Sequence, residues 1–322
     1  MVKYSIIIPV YNRANEVEEL LDSLSRQAFS DFEVLIIEDG SNMTCKAVVT
    51  KFSSKINVKY FFKENTGQGF SRNYGAKEAN GQWLIFFDSD CVIPPEYLSN
   101  LDNLVADNPE TKAYCGPDGA GKDFSLLQRA ISYSMTSFLT TGGIRGSKLK
   151  VDQEAHLRSY NLVIEKGVFD ELGGFKKTNM GEDMELSYRF RNAGYRALIS
   201  DQLLVYHKRR NTLSSFYRQI FSFGRTRIQL KVDYGIPIKL PHIFPSLFSV
   251  GFLSGVLMLA FDIKYSHLIV AAYLVYFLAI LIHSSIKEKS ILVGSLAVIT
   301  SFYQHLAYGL GFLKEAVTYR KS

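Results

Sequence analysis

The run Trp83-Leu84-Ile85-Phe86-Phe87-Asp88-Ser89-Asp90-Cys91 constrains this chain more than any other stretch. Five apolar residues in a row, with no polar alternation, fit a strand covered on both faces, as in a mostly parallel sheet. Pro94 and Pro95 stop regular structure soon afterwards. The two acids therefore fall at the carboxyl end of a buried strand, where open α/β sheets bind their ligands. Carboxylates this close repel each other unless a cation lies between them. Oxygen donors in an open geometry suit Mn2+ or Mg2+, ions that usually arrive with substrate phosphates. An acidic turn is the plainer explanation of Asp-X-Asp taken alone, so the rest of the chain has to decide.

The preceding residues supply the sheet. Tyr4–Val10 is a β-branched run and reads as a buried strand, ending in the loop Pro9-Val10-Tyr11-Asn12-Arg13. Val17, Leu20, Leu21, Leu24 and Ala28 follow at helical spacing, with Asn15 and Glu18 set as a capping box. A second strand, Phe32–Ile37, ends in Glu38-Asp39-Gly40-Ser41. A helix over about 45–54 and a third strand, Val58–Phe62, come next. Residues 64–76 open a helix ending near Gly81. The order β-α-β-α-β-α-β predicts an α/β fold, with a parallel sheet and helices on both faces. Gly67 and Gly69 lack the third glycine of a dinucleotide fingerprint and follow the third strand, so a turn entering a helix explains them. Arg72 lies in the first turns of that helix; from the residue alone a surface ion pair is an equal reading.

Further along, 116–122 is a glycine-rich loop, 125–139 reads as helical and 141–150 as flexible. Tyr160–Phe169 is a strand-to-helix corner. Met180–Arg189 is a glycine turn entering a helix with Glu182 and Asp183 in its first turn, where the macrodipole alone favours acids. Short strands over 197–199 and 203–206 lead to His207, which in isolation reads as structural.

Charge is distributed unevenly. Residues 205–240 hold eight Lys/Arg against one acid, whereas 1–204 hold 23 against 27. The basic belt carries Phe216, Tyr217, Ile220, Phe221 and Phe223 among its arginines, which suits a helix at an anionic lipid interface; a helix packed on the preceding domain would look the same. No nucleic-acid module surrounds it, so nucleic acid is not expected as a partner. Beyond it lie three apolar runs, about 243–261, 267–286 and 291–313. The first two have the length of spanning helices. Lys287, Glu288 and Lys289 fall on the cytosolic side by the positive-inside tendency. The third contains Ser301, Gln304 and His305, and its basic end favours the same side as 287–289. It is therefore interfacial or re-entrant, or the charge rule fails there. The three cysteines, Cys45, Cys91 and Cys115, match no metal or disulfide pattern and point to a reducing setting. The N-terminal apolar run is too short for a signal peptide. The expected organisation is a domain over 1–207, a basic amphipathic segment over 208–240 and a membrane domain over 241–322.

In order, IIIPVYNR, IIEDGS, ENTGQGFSRNYGA, FFDSD, GGF with GEDMEL and YRF, and VYHKRR resemble the motifs of inverting family 2 glycosyltransferases of the GT-A fold, in their membrane-anchored form. The resemblance covers about residues 4–210. It implies a Rossmann-like, mostly parallel sheet and a C-terminal helical membrane segment. It also implies that Pro9, Tyr11 and Arg13 line a nucleotide pocket, that Asp39 binds the base, and that Arg72 lies near the diphosphate. Asp88, Ser89 and Asp90 correspond to the DXD motif, whose acids hold a divalent metal and the nucleotide sugar. Asp183 corresponds to the general base with Glu182 beside it, and His207 to a histidine completing the metal site. Asn42-Met43-Thr44 departs from the second acid many relatives carry after the aspartate. The motif of processive polymer synthases is absent, which implies single additions. The implied activity is metal-dependent transfer from a nucleotide sugar, a UDP-sugar, to a hydroxyl of a lipid-linked or membrane-proximal glycan at the cytosolic face. The alternatives are a polyprenyl-phosphate sugar synthase, whose anionic acceptor needs no base, and a non-catalytic membrane scaffold.

Overall fold

Side chains alternate faces along each central strand, and helices cover both sides. The computed structural model describes residues 2–119, 124–142, 157–207 and 211–320. Two units emerge: one holds residues from 2–119 and 157–207, the other residues from 124–142 and 211–320.

The first unit begins β1 (Tyr4–Val10), α1 (Ala14–Leu24), β2 (Phe32–Asp39), α2 (Lys46–Phe52), β3 (Val58–Lys63), α3 (Gln68–Glu78) and β4 (Trp83–Phe87). There follow β5 (Cys91–Val92), α4 (Tyr97–Asp107), β6 (Ala113–Cys115) and β7 (Asp118–Gly119). After α5 (Leu126–Thr136) and α6 (Phe138–Thr141), which belong to the second unit, come β8 (Asn161–Glu165), α7 (Lys166–Glu171), α8 (Glu182–Asn192), β9 (Ala197–Ile199) and β10 (Val205–His207). The large sheet runs β3-β2-β1-β4-β8-β6-β9. It is parallel except where β8 lies antiparallel to β4 and β6. Ile6, Ile8, Val34, Ile36, Ile85 and Phe87 meet α1, α2 and α4 on one face. Ile7, Leu35, Ile37, Leu84 and Phe86 meet α3, α7 and α8 on the other. Burying each such side chain stabilises by about 1.5–3 kcal/mol. This two-faced burial is why Trp83–Phe87 carries no polar alternation.

A second sheet, β5-β10-β7, sits beyond the end of β4. Its β10 runs antiparallel to β5, with His207 opposite Cys91.

Several local expectations differ from the structure. The Asn15–Glu18 capping box is not formed: α1 starts at Ala14, its cap Arg13 makes no side-chain cap bond, and Glu18 instead pairs with Lys51 at 2.6 Å. Helix α3 stops at Glu78, because Ala79 is already extended. Gly67 caps it at φ +89°, and a Cβ on Gly69 would strike the Lys177 carbonyl, so these glycines serve chain packing as well as the turn. Of the flexible stretch expected over 141–150, residues 143–150 lie outside the described residues.

The second unit consists of α5, α6, α9 (Leu213–Tyr234), α10 (Leu240–Ala260), α11 (Ser266–Glu288) and α12 (Ile291–Thr318). Segment 124–142, expected within 1–207, joins this unit because Ala130, Ile131, Tyr133 and Met135 pack among its helices. Helices α10, α11 and α12 have 21, 23 and 28 residues, and the most apolar 18-residue stretch of each has a mean hydropathy of 2.0, 2.1 and 1.3, long and apolar enough to cross a membrane. The third run is thus one continuous helix. Its Ser301, Gln304 and His305 are buried, with His305 against Phe248 and Tyr276. The belt helix α9 does not stand alone: it packs along α12, with Phe216 and Ile220 beside Ala307 and Arg225 bonded to Glu315 at 2.7 Å. Glycines 224 and 311 permit that approach, since a Cβ at either would collide with the opposite backbone.

Candidate active site

The site forms where β1 and β4 end, beside the start of α8. Asp88 and Asp90 leave β4 in the turn that β5 closes, and the β10–β5 register sets His207 beside them. The His207 Nε2 lies 3.0 Å from Asp90 Oδ1 and 3.7 Å from Asp88 Oδ2. Arg13, at the foot of α1, donates to Asp90 Oδ2 at 2.6 Å. Burial pushes the Asp90 carboxyl up, but His207 and Arg13 outweigh it and hold the group well below the ordinary range. Tyr160 stacks on His207 with ring centroids 4.9 Å apart and donates to Asp118 at 3.1 Å, fixing the imidazole plane.

Arg72 is not a surface residue. Its side chain is 0% exposed, donating to Asp88 Oδ1 at 2.5 Å and to Glu182 Oε1 at 3.0 Å above the Phe175 ring. Glu182 also accepts from Gln68 Nε2 at 2.9 Å and Ser159 Oγ at 3.1 Å. Asp88, Arg72 and Glu182 therefore form one chain of charge linking the end of β4 to the first turn of α8. Burial, then neighbouring Asp183, pushes the Glu182 carboxyl up to about 7, with Arg72 opposing them. Asp183 itself is half-buried, its Oδ1 accepting the Met184 amide at 2.7 Å.

That shift has a sign. A carboxyl raised from 4.5 to about 7 binds its proton better folded than unfolded, so its stabilising contribution fades as pH rises through that window. Wild type should lose thermal stability relative to Glu182→Gln between pH 4.5 and about 7 and stay offset above it. Melting profiles that run parallel across the window would show that Glu182 does not titrate there.

Asp39 joins a different network. It is 3% exposed and accepts from Lys63, from the Thr66 amide at 2.9 Å and from the Gly67 amide at 2.9 Å. Burial raises its pKa, but Lys63 and the Thr66 amide outweigh that and hold it low. Pro9 sits half-buried in β1, Tyr11 is 51% exposed, and Ser89 is buried between the two acids. Sequence reasoning missed Asn12. At φ +54° its side chain accepts the Asn42 amide at 2.9 Å and its own amide donates to Ser41 Oγ at 2.7 Å, tying the β1 loop to the β2 loop. A polar residue in a left-handed loop is the only signal that could have found it. It also missed Glu38, fully buried and accepting the Cys45 amide at 2.7 Å.

The donor types suit a hard divalent ion: the His207 imidazole nitrogen lies against both carboxylates, and all three groups are partly open. Sulfur adds nothing there. The Cys91 Sγ lies within 4.8 Å of Asp90 and His207 donor atoms, but burial and both carboxylates push its pKa well above ordinary, and the thiol bonds the Tyr160 carbonyl.

The family model of glycosyl transferase family 2 matches residues 5–173. An uncharacterized glycosyltransferase of Rickettsia typhi is 35% identical over 195 residues, 58% of this chain and 58% of that protein. The poly(ribitol-phosphate) beta-N-acetylglucosaminyltransferase TarS of Staphylococcus aureus is 38% identical over 109 residues, 33% of this chain and 19% of that one. The match thus spans little more than half of the first relative's length and less of the other's. Among solved structures, the mannosyltransferase PcManGT of Pyrobaculum calidifontis in complex with GDP-Man and Mn2+ superposes with a TM-score of 0.60 at 16% identity, over 98% of this chain and 87% of that chain. TarS 1–349 of S. aureus in complex with UDP-GlcNAc gives 0.53 at 16% identity, over 99% and 93%. At these identities the superpositions speak to fold.

Proposed function

Since the chain belongs to glycosyl transferase family 2, we propose that it transfers a sugar, with inversion and one unit at a time, from a UDP-sugar to a hydroxyl of a lipid-linked or membrane-proximal glycan. The observation that carries this reading is the convergence of Asp88, Asp90 and His207 at a sheet edge connected through Arg72 to the Glu182-Asp183 turn. Complexes of GDP-Man with Mn2+ and of UDP-GlcNAc on similar folds support a nucleotide-sugar donor and a divalent ion.

Asp88, Asp90 and His207 would hold Mn2+ or Mg2+, which when bound supplies positive charge to the departing diphosphate. Arg72 is too buried to reach substrate, so it acts through Asp88, fixing the direction of that carboxylate. Glu182 in turn holds Arg72 and is a positioning residue. Asp183, more exposed on the same turn, takes the proton of the acceptor hydroxyl, a nucleophile too weak without it. One attack from the face opposite the leaving group inverts the anomeric carbon, so one base is enough. Tyr11, open to solvent at the end of β1, offers a ring to the nucleobase; Pro9, Arg13, Asp39 and Ser89 shape the surrounding loops. Helices α10 to α12 anchor the enzyme in the membrane, with the transferase unit on the cytosolic face and anionic lipid at the belt.

A thermal-shift screen of nucleotide sugars with Mn2+ tests the reading. A ligand at a hundredfold excess over Kd stabilises by about 2.7 kcal/mol, well within reach of the method. UDP-sugars should raise the transition of the full chain. If no nucleotide sugar shifts it, transferase function is refuted.

A further inference from the structure

The arm α5–α6 lies between β7 and β8 in sequence yet packs wholly among the C-terminal helices. It packs along α12 and reaches α11 through long side chains at successive levels. Arg129 bonds the Glu288 carboxylate at 3.1 Å; Tyr133 Oη meets His283 Nδ1 at 2.7 Å; Tyr276 Oη reaches the Leu139 carbonyl at 3.0 Å. On its other side Thr300 of α12 donates to the Ala130 carbonyl at 3.2 Å. Ala130 and Tyr133 cluster with Ile280, Val293 and Ala297, and Ile131 and Met135 with Ala307. The contacts thus step from the charged end of α11 to its middle.

Twelve residues of α11 separate Glu288 from Tyr276, a rise of about 18 Å at 1.5 Å per residue. Half the hydrocarbon thickness of a bilayer is about 15 Å. We propose that α5–α6 is a re-entrant arm that dips from the Lys287–Lys289 interface to the membrane midplane and presents its tip, Phe138 and Leu139, to lipid acyl chains. This rests on the reading of α10 to α12 as membrane spans.

Two further observations point the same way. Phe138 is 76% and Leu139 36% exposed, at the level where α11 also turns Leu274, Val275 and Leu278 outward. The apolar tip is therefore continuous with a surface that lipid covers. The backbone at the tip is also provided for, as hydrocarbon requires. Thr140 Oγ1 bonds the Ser134 carbonyl at 2.5 Å and Thr141 Oγ1 the Ser137 carbonyl at 2.9 Å. Tyr276 has one hydroxyl proton, given to Leu139, so at its 2.8 Å contact with His305 Nε2 the imidazole must donate. A relay from His305 through Tyr276 to Leu139 thus satisfies the carbonyl at the tip. That relay gives two polar residues on mid-helix positions of otherwise apolar segments a purpose.

The test is bromolipid quenching of Phe138→Trp in the full chain, read as the difference from wild type, whose single tryptophan, Trp83, is buried. Leu278→Trp on α11 and Leu126→Trp at the start of the arm are run beside it. Phe138→Trp should be quenched most by bromines deep on the acyl chains and spared by aqueous iodide, matching Leu278→Trp, while Leu126→Trp responds to shallower bromines. If Leu278→Trp is quenched by lipid but Phe138→Trp responds only to iodide, the arm stays out of the bilayer and the proposal is overturned. If Leu278→Trp also ignores bromolipid, the membrane reading fails with it.

Discussion

Asp183→Asn is expected to lower the transfer rate by about 10²–10⁴-fold, the usual worth of a positioned general base, while donor binding survives. The substitution keeps the shape of the side chain and its acceptance of the Met184 amide. It removes the negative charge, and with it the capacity to take a proton and the push that Asp183 exerts on the Glu182 carboxyl. Initial rates with saturating nucleotide sugar, beside calorimetric donor affinity, separate the two effects. Near-full activity would mean that the acceptor arrives already anionic, as a phosphate does, and the hydroxyl-transfer reading would give way to a polyprenyl-phosphate sugar synthase.

The second large effect concerns stability. Glu182→Ala should destabilise the sheet unit by about 1–3 kcal/mol, because it leaves a donor of the buried Arg72 guanidinium unsatisfied while Asp88 still balances its charge. Arg72 has no solvent to turn to and its Nε already lacks a partner among the described residues. Glu182→Gln keeps an acceptor at Oε1 for Arg72, Gln68 and Ser159 and should cost much less. The variants also divide positioning from proton transfer. Glu182→Gln should leave the pH profile of turnover governed by Asp183, whereas Glu182→Ala should lose Arg72 alignment, read mainly in donor binding through Asp88. If Glu182→Gln instead abolished turnover as fully as Asp183→Asn with donor affinity unchanged, Glu182 would be the base.

Much of this was legible in the sequence, for reasons that differ by residue. Trp83–Phe87 announced a strand buried on both faces because only such a strand can be uniformly apolar. Its following acids then had to emerge at a sheet edge. The alternation of strands and helices gave the parallel half of the sheet, while the antiparallel β8 depends on a pairing between residues 83–87 and 161–165 that no local pattern encodes. His207 was reachable only through a family resemblance, since its place beside Asp90 comes from the β10–β5 register. Arg72 looked like any helix-surface arginine, and its burial follows from two carboxylates distant in sequence. The basic belt was visible as charge, but its pairing along α12 through Gly224, Gly311 and Glu315 was not. Segment 125–139 read simply as helical, because a helical pattern never names what covers its apolar face.

The most direct test of the central claim is calorimetric titration of a UDP-sugar into the full chain, with Mn2+ and with EDTA, for wild type and Asp90→Asn. Binding should be strong only for wild type with Mn2+, and both chelation and the substitution, which weakens the anionic side of the Asp88–Asp90–His207 cluster, should abolish or sharply weaken it. Equal affinity in EDTA, or an Asp90→Asn protein that binds donor as well as wild type, would contradict a metal-held diphosphate at this sheet edge.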